Sequence, residues 1–238
     1  MSSSPRRWVL VPVISVALLA AGCSTGVSGQ PGAAARQQPS TTTTTTSSAK
    51  RLPPVSEQNP DPALLIPDIV KVDYPPGLHA QTGQRVAYDK SPPFGGAHDS
   101  VWADCAGVIY KTAVRNEHMV HSLEHGTVWI AYNADQIKDA ALGRLKSRVL
   151  GQPYLMLSPY PALDRPISLQ AWGHQLKLDS ADDERIDQFI KALRANRYTT
   201  PEAGARCDTA DPELFDPAKP PPFDPSPPGP DAMPVVPR

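Results

Sequence analysis

The chain has 238 residues, 29 of them proline, and its 23 basic and 24 acidic side chains leave a formal net charge of −1. Length alone allows one or two domains, and without a basic excess to neutralise phosphates nucleic acid is not expected as a partner. The prolines concentrate outside the middle of the chain, which argues for one folded unit with low-complexity flanks.

Arg6 and Arg7 precede an uncharged apolar run from Trp8 to Ala21 that is short for a bilayer span. The run ends in Leu19-Ala20-Ala21-Gly22-Cys23. Small residues before a cysteine resemble the lipobox of bacterial lipoproteins, in which the thiol is acylated and becomes the new N-terminus. Residues 1–22 are therefore expected to be a lipoprotein signal peptide. The protein is then expected at the extracytoplasmic face of the cell membrane, held by a lipid on Cys23. A plain signal peptide cut near Ala21, or an uncleaved anchor, is the alternative. Residues 23–60, with the run Thr41 to Thr46, read as a flexible tether.

Periodicity appears between residues 61 and 207, the expected globular domain. Ile69 to Tyr74 alternates as a half-buried strand does, and Arg85 to Tyr88 is a second short candidate. Residues 91–107, rich in Pro, Gly and Asp, read as an irregular loop. Thr127 to Tyr132 is β-branched and aromatic, a buried strand. Ile137, Ala141, Leu145 and Val149 recur every four residues on one helix face, and Gly151 and Pro153 stop that helix. Tyr154 to Leu157, Ile167 to Trp172 and Gln175 to Leu178 read as strands, the last two joined by a turn at Gly173. Asp182 is expected to cap a final helix carrying Ile186, Phe189, Ile190 and Leu193. The order strand, helix, strand, strand, helix predicts an α+β fold, a mixed sheet with helices packed on it, consistent with a thioredoxin-like layout. No Cys-x-x-Cys is present, so thioredoxin chemistry is not implied. Residues 208–238 repeat Pro with Asp and read as a disordered polyproline tail.

Of three cysteines, lipidation of Cys23 leaves Cys105 and Cys207 as a candidate disulfide in an oxidising compartment. Two buried free thiols, or Cys105 as a metal ligand, are the alternatives. The histidines offer the clearest chemistry. His121 and His125 are four apart in Val120-His121-Ser122-Leu123-Glu124-His125-Gly126, so they share a face on a helix and on a strand alike. Glu124 joins the side of His121 only on a helix. His98 follows Pro92-Pro93-Phe94-Gly95-Gly96, whose glycines permit close backbone approach. His98, His121 and His125, with Glu124 as fourth ligand or as partner to an imidazole, are a candidate set for zinc or copper. Met119 could add a soft ligand but reads more simply as core. His-x-x-Glu-His also matches the inverzincin pattern of zinc peptidases. Those enzymes need a further acidic ligand downstream, for which Glu184 is the nearest later glutamate. The simpler alternative is a hydrogen-bonded loop with no ion.

The loop Ser91 to Asp99, then Trp102, Cys105 and Gly107, then Val120 to Gly126 with Val128-Trp129-Ile130, and later Gln170-Ala171-Trp172-Gly173, resemble the family catalogued as domain of unknown function 3105. The resemblance covers about residues 66–207. It implies motif residues at His98, His121, Glu124, His125 and Gly126, with His79 and Tyr110 at its margins, and an exported or membrane-anchored setting. Ala97 replaces a frequent proline. No activity comes with the resemblance. Three functions stay open: a membrane-anchored metal-binding lipoprotein, a metal-dependent hydrolase or redox enzyme, and a tethered interaction domain without metal. The lipid anchor makes the membrane one partner; protein partners are not legible.

Overall fold

The computed structural model describes residues 51–209 and 211–238. The expected signal peptide, the Cys23 lipid site and residues 23–50 of the expected tether lie outside the described residues. The described chain carries the strands β1 (Val70–Lys71), β2 (Val86–Ala87), β3 (Ala106–Ile109), β4 (Val128–Tyr132), β5 (Leu155–Pro159), β6 (Ile167–Ala171), β7 (His174–Leu178) and β8 (Met233–Pro234). Its helices are α1 (Asn116–Glu124), α2 (Asp139–Val149) and α3 (Arg185–Leu193), preceded by one 3-10 turn, Pro62–Leu65.

Six strands form one mixed sheet in the order β1-β7-β6-β4-β5-β3. β3 and β4 both run parallel to β5, while β6 is antiparallel to β4 and to β7. The run β3-β5-β4-β6-β7 is a thioredoxin-like strand order, extended at its β7 edge by β1. β4 is buried along its whole length, and its alternation divides the interior in two. Val128, Ile130 and Tyr132 face a core with Leu145 and Val149 of α2 and Ile186, Phe189 and Leu193 of α3. Trp129 and Ala131 face a second core with Met119, Val120 and Leu123 of α1. The sheet therefore places α1 on one side and α2 and α3 on the other.

Several expectations shift in detail. β3 occupies residues at the end of and just beyond the expected irregular loop. α3 has Glu184 rather than the expected Asp182 at its N-cap, without a side-chain capping bond, and the Asp183 carboxylate just before it accepts the Arg185 N–H at 2.9 Å. Cys105 and Cys207 are joined as a disulfide, 102 residues apart in sequence. The Cys105 N–H also donates to the Cys207 carbonyl at 2.9 Å.

The two flanks depart further from expectation. Residues 51–60 belong to the fold rather than to a tether: Leu52 packs on the α2–α3 core, and Asn196 Nδ2 donates to the Pro60 carbonyl at 2.9 Å. The C-terminal segment, expected to be disordered, lies on the domain as an extended strap. Phe215 is buried against Tyr110 and His118. The Arg115 N–H donates to the Pro221 carbonyl at 2.8 Å, and β8 pairs in parallel with β2. A few well-spaced apolar side chains hold this segment, and proline lowers the entropy lost in fixing an extended chain.

Candidate metal centre

α1 is the platform of the site. Every residue from Glu117 to Glu124 is buried, because the sheet covers one side of the helix and the segment 75–103 crosses the other. His121 and Glu124 stand on one side, and His125 follows at the C-cap, its ring 4.7 Å from that of His121. Gly126 then ends the helix with φ of 100° and turns the chain into β4; a Cβ there would press on Ala195 and Thr200.

The crossing segment supplies the partners. Ser122 Oγ donates to the Ala103 carbonyl at 2.7 Å, and the Ala103 N–H donates to the His118 carbonyl at 3.0 Å. His98 is thereby held over His121, with ring centroids 4.7 Å apart. His98 in turn forms a parallel β-bridge with His79: its N–H donates to Leu78, and its carbonyl accepts from Ala80. That bridge brings the His79 ring to 5.0 Å from His98 and 5.3 Å from His121.

The tautomers follow from the backbone. Nδ1 of His98 meets the Gly96 carbonyl at 2.9 Å, Nδ1 of His121 the Asp99 carbonyl at 2.7 Å, and Nδ1 of His125 the Arg206 carbonyl at 2.8 Å. A carbonyl only accepts, so each Nδ1 carries the proton, and in the neutral ring each Nε2 presents a lone pair. A carbonyl on Nδ1 fixes the ring and leaves Nε2 to coordinate, as in metal-binding imidazoles.

Glu124 is fully buried. Its Oε1 accepts the Gly77 N–H at 2.7 Å, and its Oε2 lies 2.8 Å from His98 Nε2. Despite that distance, neither Oε2 nor Nε2 has an aligned hydrogen bond. Burial pushes the Glu124 carboxyl up, but His98 and the Gly77 N–H outweigh it and hold the group below its ordinary range. Burial pushes the His121 imidazole down to about 3, with His98 and His125 adding to the effect. Burial likewise lowers His125, against the Arg206 carbonyl and Glu202.

Ligand atoms of His79, His98, His121 and Glu124 lie within 4.8 Å of one another, and those of His121, His125 and Glu202 form a second such group. His98, His121 and Glu124 thus come together as their sequence pattern suggests, while His125 stands one step outward beside Glu202. Glu184 belongs to the cap of α3 on the far side of the sheet. The later acidic residue at the cluster is Glu202, whose N–H donates to the Glu124 carbonyl at 3.1 Å. Sequence spacing gives no sign of His79 as a ligand or of Glu202, since a β-bridge delivers one and the loop after α3 the other. Met119 is core. His118 turns away: its Nδ1 meets the Val101 carbonyl at 2.7 Å and its ring packs on Phe215. His174 bridges the Trp172 carbonyl and Asp61.

A family model described as "protein of unknown function (DUF3105)" matches residues 79–209. Nothing among the curated proteins or the solved structures matches the chain. The matched span covers more than half of the chain and includes His79, His98, α1, β3 to β7 and Glu202. The chain belongs to the DUF3105 family.

Proposed function

We propose that this domain binds one transition-metal ion, zinc or copper, through His98, His121 and Glu124, with His79 as fourth ligand. The observation that carries the reading is the contact between His98 Nε2 and Glu124 Oε2. A buried imidazole nitrogen and a carboxylate oxygen 2.8 Å apart without an aligned hydrogen bond need a cation at that point, a proton on His98 or a metal ion beside both, and the ligand atoms of His79 and His121 within 4.8 Å favour the metal ion. Three imidazoles and a carboxylate suit the coordination of zinc, and the same donors serve copper. Four protein ligands leave no open coordination position. That favours holding or handling an ion over hydrolysis, and it makes Glu124 a ligand rather than a general base. We further propose that the domain is carried on the outer face of a bacterial membrane by a lipid on Cys23, a reading supported by the lipobox-like run before that residue.

Elemental analysis of the purified full chain, followed by thermal melting with added zinc or copper, tests the ion. Bound metal should raise the melting temperature, by the equivalent of about 4 kcal/mol at 1,000 times the dissociation constant. His121→Ala and Glu124→Gln should each weaken binding by more than the roughly 10–100-fold lost when an outer-shell partner is removed. If no metal co-purifies and neither ion raises the melting temperature of the parent above that of His121→Ala, the cluster is a hydrogen-bonded loop.

A further inference from the structure

His121 belongs to both groups of ligand atoms. In one it joins His79, His98 and Glu124; in the other it joins His125 and Glu202. Its Nδ1 is committed to the Asp99 carbonyl at 2.7 Å, so only Nε2 can coordinate, and a single nitrogen lone pair serves one ion at a time. The two groups are therefore alternative positions for one ion.

They also differ in what surrounds them. The inner group contains His98 and Glu124, both with no exposed side-chain surface, and reaches solvent only at His79, which is exposed. The outer group ends in Glu202, whose side chain is 45% exposed and whose Oε2 lies 3.3 Å from His125 Nε2. His125 is oriented as the inner imidazoles are, by a carbonyl, that of Arg206. The outer group is thus a set of three ligands reaching from solvent to His121, with a coordination position to spare for water or an incoming carrier group.

We propose that His125 and Glu202, with His121 as shared ligand, form an outer position through which a divalent transition-metal ion such as zinc enters and leaves the inner set. The ion is first caught by Glu202 and His125, gains His121, and then exchanges Glu202 and His125 for Glu124 and the inner imidazoles while His121 stays bound. Release runs through the same steps in reverse. Ligand exchange one donor at a time avoids stripping the ion bare inside a buried site, which would be the costly alternative. No bond other than coordination changes, and no electron is transferred. The proposal rests on the metal-binding reading of the inner set.

The experiment loads the full chain with zinc alone and follows transfer to a coloured chelator, and separately the rate of loading, in the parent, Glu202→Gln and His125→Ala. The parent should hold one zinc per chain. Both variants should retain that stoichiometry and an affinity within about threefold of the parent. Loading and release should each be slower by a similar factor, about tenfold, corresponding to about 1.4 kcal/mol of barrier. Glu202→Gln changes one exposed side chain, so it keeps the test free of folding effects even if His125→Ala is unstable. Equal rates in the parent and Glu202→Gln would overturn the outer position while leaving the inner site standing. Two zinc ions bound together per chain would also overturn it, because His121 would then not be shared. A parent that binds no zinc would overturn this inference and the inner site together.

Discussion

The imidazoles at the cluster are set by the backbone carbonyls that accept their Nδ1 protons, and the residues behind those carbonyls matter as much as the rings. Asp99, whose carbonyl orients His121, is itself held by Arg115. Arg115 Nη1 lies 2.7 Å from Asp99 Oδ2, and Nε lies 3.1 Å from Glu117 Oε2. Both carboxylates are buried almost completely. Arg115→Ala would leave two buried charges without their main partner, so it should cost about 3–5 kcal/mol of stability in urea denaturation and weaken metal binding as well. Protonation gives a second expectation at this scale. Burial holds His118, His121 and His125 below the ordinary imidazole value of 6.5. An unfolded chain takes up these protons near that pH and the folded chain does not. Stability of the ion-free protein is thus complete above it and is lost as pH falls towards the folded values. Glu124, also held low, acts in the same direction. In the presence of a chelator, the melting temperature should fall between about pH 7.5 and pH 5. A flat profile would mean that the rings are not desolvated as described.

At the scale of elements, what the sequence reveals depends on whether an element carries a local signature. α2 and α3 are legible because an apolar face recurs every three or four residues, and β4 to β7, buried almost throughout, are legible as short apolar, β-branched or aromatic runs bounded by turns. α1 is not. Residues Glu117 to Glu124 are buried all round, so no apolar stripe marks the helix, and its polar residues are satisfied by tertiary partners. β3 was hidden by its length of four residues and by Gly107 within it. At the site, the spacing of His121 and His125 was readable, whereas the approach of His79 and Glu202 depends on long-range pairing that no local pattern encodes. The C-terminal strap was missed for a related reason: Phe215, Phe223, Met233 and Val235 are too far apart to form a periodic signal, yet each is packed against one of the clusters. Phe215→Ala should cost about 3–5 kcal/mol, and a chain ending at residue 209 should melt well below the full chain. Equal melting temperatures would show that the strap adds nothing to the fold.

At the scale of the whole molecule, the sheet separates two tasks. α2 and α3 build the core on one face, and α1 carries the ligand cluster on the other. Among the described residues no helix is long and apolar enough to cross a membrane. The attachment proposed for this protein is through Cys23. Cys23→Ser should release the protein from membranes and abolish labelling by a fatty-acid probe. Unchanged membrane retention, with no labelling of the parent, would rule the anchor out.

The disulfide gives the ligand set a particular topology. Its 102-residue separation makes the chain from Cys105 to Cys207 a closed covalent ring. His121, Glu124, His125 and Glu202 lie inside the ring's sequence; His79 and His98 lie before it. An ion bound to the inner set would therefore act as a staple between the ring and the segment outside it, a link the disulfide cannot provide. Removing the ion and reducing the bridge would then loosen different parts of the molecule: the first frees the crossing segment from α1, and the second opens the ring at the edge that carries Glu202.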